Sequence, residues 1–217
     1  MAHTVDTSQI FATIQNVHSD KQFCMARIRE FDPDVALDKA MKVFWQKGYA
    51  NTSIEDLVSA TGVNRYGLYD EFENKHGIFL AALDHYQHVV LGVLFGMVER
   101  PGASLTEIRD YFAKLVELSS SESGRLGCLM ANCASEVAPH DKRAANKVEK
   151  YRARLQLGFS SALSNAKVAG ELAAQFDVEP MADFLTGVMQ GLSVMARSNA
   201  KPKMMANVVE VALSHLQ

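Results

Sequence analysis

Apolar residues recur three and four positions apart along almost the whole chain, and no alternating β-branched run is long enough for a strand, so the pattern predicts an all-α protein. Asp32-Pro33, an N-cap followed by proline at the first helical position, opens the first helix. Leu37, Ala40, Met41 and Phe44 share one face of it, and Gly48 ends it. Thr52, Ser53, Ile54 and Glu55 have capping-box spacing and lead a short helix that stops at Thr61-Gly62. A third helix starts at Asn64 and carries Leu68 and Tyr69. A fourth follows Asn74, carries Phe79, Ala82, Tyr86, Val90 and Leu94, and ends at Pro101-Gly102. Further helices are predicted over 105–118, 126–137, 141–168, 179–197 and 204–216, with 119–124 the clearest loop. Residues 1–24 have weak periodicity and read as a mobile extension, with Met25 as a natural start.

Two short helices joined by a tight glycine turn, the second led by polar residues, are the sequence form of a helix-turn-helix. Here 53–60 is the first helix, Thr61-Gly62-Val63 the turn and 64–70 the second. Gly62 supplies a positive φ at no steric cost, and Val63 ties the turn to the core. The run Phe44-Trp45-Gln46-Lys47-Gly48-Tyr49-Ala50-Asn51-Thr52-Ser53-Ile54-Glu55-Asp56-Leu57, then Ala60-Thr61-Gly62-Val63, then Leu68-Tyr69-Asp70-Glu71-Phe72-Glu73-Asn74-Lys75, resembles the N-terminal domain of the TetR family of transcriptional repressors. Gly127-Cys128-Leu129-Met130 with Glu136, and Gln190-Gly191-Leu192 with Ala196-Arg197, resemble one branch of that family. The resemblance implies a three-helix DNA-binding domain over 25–78 and a helical effector-binding and dimerisation domain over 79–217.

The residue types at these positions suit DNA. Thr52 and Ser53 stand at a helix N-terminus, where backbone N–H groups and a hydroxyl can hold a phosphate. Lys75 adds a charge at a second such terminus, and Tyr69 offers a phenol. Base reading falls to the start of the recognition helix, Asn64, Arg65, Tyr66 and Gly67, with Arg65 able to grip guanine through two donors. Arg27 and Arg29, ahead of the first helix, form a basic arm for the backbone or minor groove. Tyr66 and Gly67 depart from the family pattern, where a small residue or proline and then a hydroxyl residue are usual.

Charge sharpens this picture. The chain holds 22 basic and 25 acidic residues. Residues 25–77 alone carry seven basic against nine acidic, so bulk attraction to DNA is absent and binding rests on a small cationic face. With 48% hydrophobic residues the chain is neither disordered nor collagen-like. It has no uninterrupted apolar run of membrane-spanning length and no signal peptide, and three cysteines fit a reduced cytoplasm.

A helix-turn-helix reads few base pairs alone, so a homodimer is expected, through Met181, Leu185, Val188, Leu192 and Met195 on one helix and Met205 and Val209 on the last. By the resemblance, the middle helices enclose a small-molecule effector of unspecified identity, with Phe95, Met97, Phe112, Cys128, Met130 and Tyr151 as candidate lining. Cys128, near Arg125 at a predicted helix start, is a candidate reactive thiol, against the alternative of a buried structural cysteine. Asp84, His85 and His88 are too few for a metal site, and no catalytic constellation, cofactor motif or membrane partner is indicated. The expected function is a repressor released from a palindromic double-stranded DNA operator by its effector. Two alternatives stand beside it: a DNA-binding regulator switched by cysteine modification or a protein partner, and a helical enzyme or scaffold whose N-terminal domain no longer binds DNA.

Overall fold

Asp32 caps the first helix, its Oδ1 accepting from the amides of Asp34 and Val35 at 2.9 and 3.4 Å, with Pro33 at the first position. The structure is a computed structural model describing residues 31–216, all helices and connections, with no strand among them. The expected extension over 1–24 and the arm residues Arg27 and Arg29 lie outside the described residues. Three helices, α1 (Pro33–Lys47), α2 (Ile54–Thr61) and α3 (Arg65–Phe72), make the N-terminal domain, called the reading domain below after the helix-turn-helix expected in it. Gly62 between α2 and α3 has φ +76° and donates its N–H to Val58 O at 2.9 Å, as the turn requires.

α4 (Lys75–Tyr86), a π turn (Gln87–Leu91) and α5 (Gly92–Glu99) then form one continuous rod of 25 residues. By length and composition this rod is apolar enough to cross a membrane, but half of its most apolar stretch is buried within the fold. Ile78, Phe79, Leu83 and Tyr86 lie fully or almost fully buried along it, each worth about 1.5–3 kcal/mol as burial, so it serves as the shared core of both domains. The π turn is invisible to periodicity, which continues through it. Beyond the rod come α6 (Leu105–Leu118), a 3-10 turn (Gly124–Leu126), α7 (Leu129–Glu136), α8 (Lys142–Val168), α9 (Val178–Arg197) and α10 (Pro202–Ser214). The helix predicted from 126 starts at Leu129 instead. Gly127 breaks it with φ +68°, at a point where a Cβ would stand 2.5 Å from Ser193 O.

Two sets of expected positions move. Phe95, Tyr111, Phe112 and Phe159 form an aromatic cluster, with ring centroids 5.1 to 6.0 Å apart, that fills the C-terminal domain. Gly158 makes room for it, since a Cβ there would lie 2.5 Å from the Phe95 ring. Phe95 and Phe112 are therefore core, as is Met130, while Met97 is half-buried against the same core. On the last two helices, Leu185, Leu192, Met205 and Val209 face the protomer's own core, and Met181, Val188 and Met195 are half-buried. The outward apolar residues are Phe184, Val194, Met204 and Val211. α9 is apolar on both sides, so a helical period cannot tell its inner stripe from its outer one.

Candidate DNA interface and interdomain cavity

The recognition helix presents its first turn to solvent. Arg65 and Tyr66 are exposed, Tyr66 at 88%, and the Arg65 guanidinium lies 5.3 Å from the centre of the Tyr69 ring. Asn64 caps the helix, its Oδ1 accepting from Gly67 N at 2.8 Å. Gly67 packs closely, since a Cβ there would meet Val63 at 3.0 Å and Phe31 at 3.3 Å. Tyr69 is half-buried with its ring packed on the core.

Two expected phosphate contacts turn inward. Thr52 is buried, and its hydroxyl donates to Gly48 O at 2.6 Å. Lys75 donates to Tyr49 O at 3.0 Å and Thr52 O at 2.8 Å, with its ammonium 4.4 Å from the Tyr49 ring centre. Both side chains brace the loop between α1 and α2 rather than reach out from it. The N-cap of α2 is Ser53, in a capping box with Asp56: Ser53 Oγ accepts from Asp56 N at 3.0 Å, and Asp56 Oδ2 accepts from Ser53 N at 2.9 Å. Lys47 pairs with the same carboxylate at 2.6 Å, and Lys42 pairs with Asp38 at 2.6 Å. Among the described basic residues of the domain, Arg65 is the one whose cation meets neither a carboxylate nor a backbone carbonyl.

The Lys47 ammonium and the Ser53 donors hold the Asp56 carboxyl down at about 2. A lowered folded value stabilises above the unfolded value near 4 and loses that support as pH falls toward 2. Asp56→Asn is therefore expected to lower the melting temperature at pH 6, with the gap from the parent protein closing below pH 4 in thermal melts.

The two domains are clasped by residues of the branch-like motifs. Glu136 on α7 accepts from the backbone amides of Tyr49 and Ala50 at 3.1 and 2.8 Å. Arg197 on α9 donates to Trp45 O at 2.9 Å and Leu126 O at 3.0 Å, and Trp45 Nε1 donates to Gly127 O at 3.0 Å. Beside this clasp lies a cavity of about 740 Å³, within the usual range for small-molecule sites. α1 contributes Met41, Lys42, Trp45 and Gln46, the rod contributes Tyr86, Val90, Leu91 and Leu94, and α6 and its loop, the 126–128 segment and α9 close the remaining sides. The π turn bulges at this wall, where such turns often mark function.

Of the six expected lining residues, Cys128 alone lines the cavity. Tyr151 stands one layer behind, its hydroxyl donating to Met189 Sδ at 3.1 Å and lying 3.3 Å from Cys128 Sγ. A phenol has one O–H, so the Cys128 S–H is the donor in that contact. Tyr86 lies within hydrogen-bonding reach of the same sulfur, and burial, reinforced by Cys128, pushes the Tyr86, Tyr111 and Tyr151 phenols up, keeping all three protonated. Cys133 does not line the cavity, and burial with nearby Glu136 and Asp141 pushes its thiol up to about 12. Asp84 pairs with Lys147 at 2.6 Å, and His85 faces Asp38 at 3.6 Å. Trp45, Met41 and the α6 loop are the lining residues that sequence reasoning missed. The only hints were the polar 119–124 tract and the resemblance of 127–130 and 190–197 to one branch.

The sequence profile "Bacterial regulatory proteins, tetR family" matches residues 36–82, and "Tetracyclin repressor-like, C-terminal domain" matches residues 104–212. The chain belongs to the TetR family. It is 35% identical to the HTH-type transcriptional repressor ComR of Escherichia coli K12, over 86% of this chain and 90% of that protein. It is 32% identical to the uncharacterised HTH-type regulator YezE of Bacillus subtilis 168, over 88% of this chain and the whole of that protein. Among solved structures, a cysteine-substituted form of the TetR family regulator CifR bound to 26-bp operator DNA superimposes with TM-score 0.77 at 29% identity, covering 87% of this chain and 98% of CifR. As a TetR family member with an intact helix-turn-helix, the chain is a DNA-binding transcriptional regulator. The TetR profiles cover both domains joined by the Glu136 and Arg197 clasps.

Proposed function

We propose that the protein represses transcription as a homodimer on an inverted-repeat operator and is released when a small molecule fills the interdomain cavity. The observation that carries this reading is the shared wall. Met41 and Trp45 belong to the first helix of the reading domain, yet they line a cavity otherwise built by the effector domain. A ligand there contacts both domains, and it shifts DNA binding to the extent that it favours one arrangement of them over another. Base reading is assigned to Arg65 and Tyr66, with Ser53 and Tyr69 beside the backbone. CifR, by its description, binds double-stranded operator DNA, which supports the same role here.

The second copy is assigned to the outer face of α9 and α10. Phe184, Gly187, Gly191 and Val194 recur along one side of α9, with nothing within 4 Å of a Cβ built on either glycine, and Met204 and Val211 extend the patch from α10. This exposed apolar patch takes the place of the inner stripe expected from the sequence, and two-fold pairing through one patch is the commonest assembly.

Selection of bound sequences from a random DNA pool, followed by titration of the best sequence at several salt concentrations, tests the proposal. Two inverted half-sites are expected, with centres one helical turn or a multiple of it apart, and a shallow log–log salt slope of about −2 to −4 per dimer. Enrichment of no sequence, with tight binding to any duplex at physiological salt, would contradict it.

A further inference from the structure

One polar group at the cavity stands out. Tyr111 is 1% exposed, its ring locked in the aromatic cluster against Phe95 and Phe112, yet it lines the cavity on the side of Cys128. Its hydroxyl has no hydrogen-bond partner among the described residues, whereas Tyr151, equally buried, is bonded to Met189 and Cys128. The hydroxyl opens onto the cavity, where no described protein group accepts from it, so its acceptor is solvent or whatever molecule occupies that space. The walls are mainly apolar, with Met41, Trp45, Leu91, Leu94, Leu115 and Met189; the Ser119 and Ser193 hydroxyls turn back onto the Val116 and Met189 carbonyls at 2.6 and 3.0 Å, and Gln46 is exposed. The charged lining residues are Lys42, already neutralised by Asp38 at 2.6 Å, and the exposed Glu122. Neither offers an unpaired buried charge to a charged ligand, and an ionised group drawn into such a space is heavily penalised.

We infer that the cavity takes an uncharged, largely apolar molecule bearing one hydrogen-bond acceptor of the carbonyl type, seated with that oxygen on the Tyr111 O–H and its body against Trp45 and Met41. This deepens the effector reading above by naming the class of ligand, but the binding claim stands on the cavity alone. Tyr111 sets specificity for the acceptor, and Trp45 is the contact through which the reading domain touches the ligand.

The chain contains a single tryptophan, so energy transfer from Trp45 reports occupancy directly. The experiment uses the full chain and three fluorescent probes. They are prodan, neutral with a ketone; N-phenyl-1-naphthylamine, neutral without a carbonyl; and 8-anilino-1-naphthalenesulfonate, its anionic relative. Prodan is expected to quench Trp45 saturably at one molecule per chain, and the sulfonate to bind at least tenfold more weakly than N-phenyl-1-naphthylamine. Tyr111→Phe removes only the O–H. It is expected to weaken prodan about fivefold and shift its emission to the blue, while N-phenyl-1-naphthylamine stays within twofold. Equal binding of the sulfonate, or a Tyr111→Phe protein that leaves both prodan affinity and emission unchanged, overturns the inference. Ala196→Phe, which fills the cavity from α9, is a second variant expected to abolish prodan binding with helical content retained; undiminished one-to-one binding there places the probe elsewhere and also overturns it. Should prodan bind as expected while operator affinity is unmoved by it, the site assignment holds and the ligand-release reading fails.

Discussion

Replacing Arg65 by alanine is expected to weaken operator binding at least about a hundredfold, and adding Tyr66→Ala to abolish sequence preference. A bidentate arginine–guanine contact is worth about 1–3 kcal/mol of discrimination, and a two-fold dimer makes each contact twice. Bulk electrostatics do not compensate. Lys42 and Lys47 are paired with Asp38 and Asp56, and Lys39 and Lys75 donate to backbone carbonyls, so among the described basic residues of this domain Arg65 is the one whose cation is left for DNA. Both side chains are exposed, and Arg65 gives up only its stacking on Tyr69, so the melting temperature should stay within about 2 °C of the parent. Arg65→Lys should not restore binding, because an ammonium lacks the planar fork. Anisotropy titrations with a labelled operator, alongside melts, check this; affinity within threefold of the parent would move base reading to other residues.

Gly77→Ala is expected to be the most damaging one-carbon change in the reading domain. A Cβ at Gly77 would lie 1.9 Å from Phe72 O and 3.1 Å from Phe72 C, both backbone atoms that cannot rotate away. The conflict arises in the tight passage from α3 to α4, where Glu73 takes φ +70° and donates its N–H to Tyr69 O at 2.9 Å. Asn74 then caps α4 by accepting from Gly77 N at 3.0 Å. Moving any of these tilts the recognition helix against the rod. A loss of about 3 kcal/mol, or roughly 6–12 °C in melting temperature, should accompany loss of operator binding. Gly96→Ala is the control. Its Cβ would meet nothing within 4 Å and its φ is not left-handed, so it should stabilise by about 0.4–1 kcal/mol. Equal effects of the two substitutions would show that close approach at Gly77 is not what demands glycine there.

The elements were legible to within a few residues wherever their signals were local. Asp32-Pro33, Gly48, Gly62, Asn64, Asn74 and Asp141 all act as the caps or stops their residue types suggest. The capping box lies at Ser53–Asp56, one residue later than the Thr52–Glu55 spacing suggests, because Thr52 and Ser53 are both good caps and only packing puts the Thr52 hydroxyl inside. Lys75 read as a surface cation, and its use on two carbonyls from another segment carries no local signature. The cavity lining is the least legible part. Phe95 and Phe112 have the same apolar character as Leu91 and Leu94, and only the third dimension says which pair faces the void.

What the sequence determined by itself is the set of helices, the helix-turn-helix with its exposed Arg65 and Tyr66, and the family. These follow from caps, breaks and a 3.6-residue period, all encoded within a turn or two of chain. What only the tertiary structure decided is where the effector-sized cavity lies, that α1 shares it, which stripe of α9 faces outward, and that Glu136 and Arg197 join the domains. Each of these depends on which distant surface a helix meets, and amphipathicity reports how much of a face is buried but not what buries it.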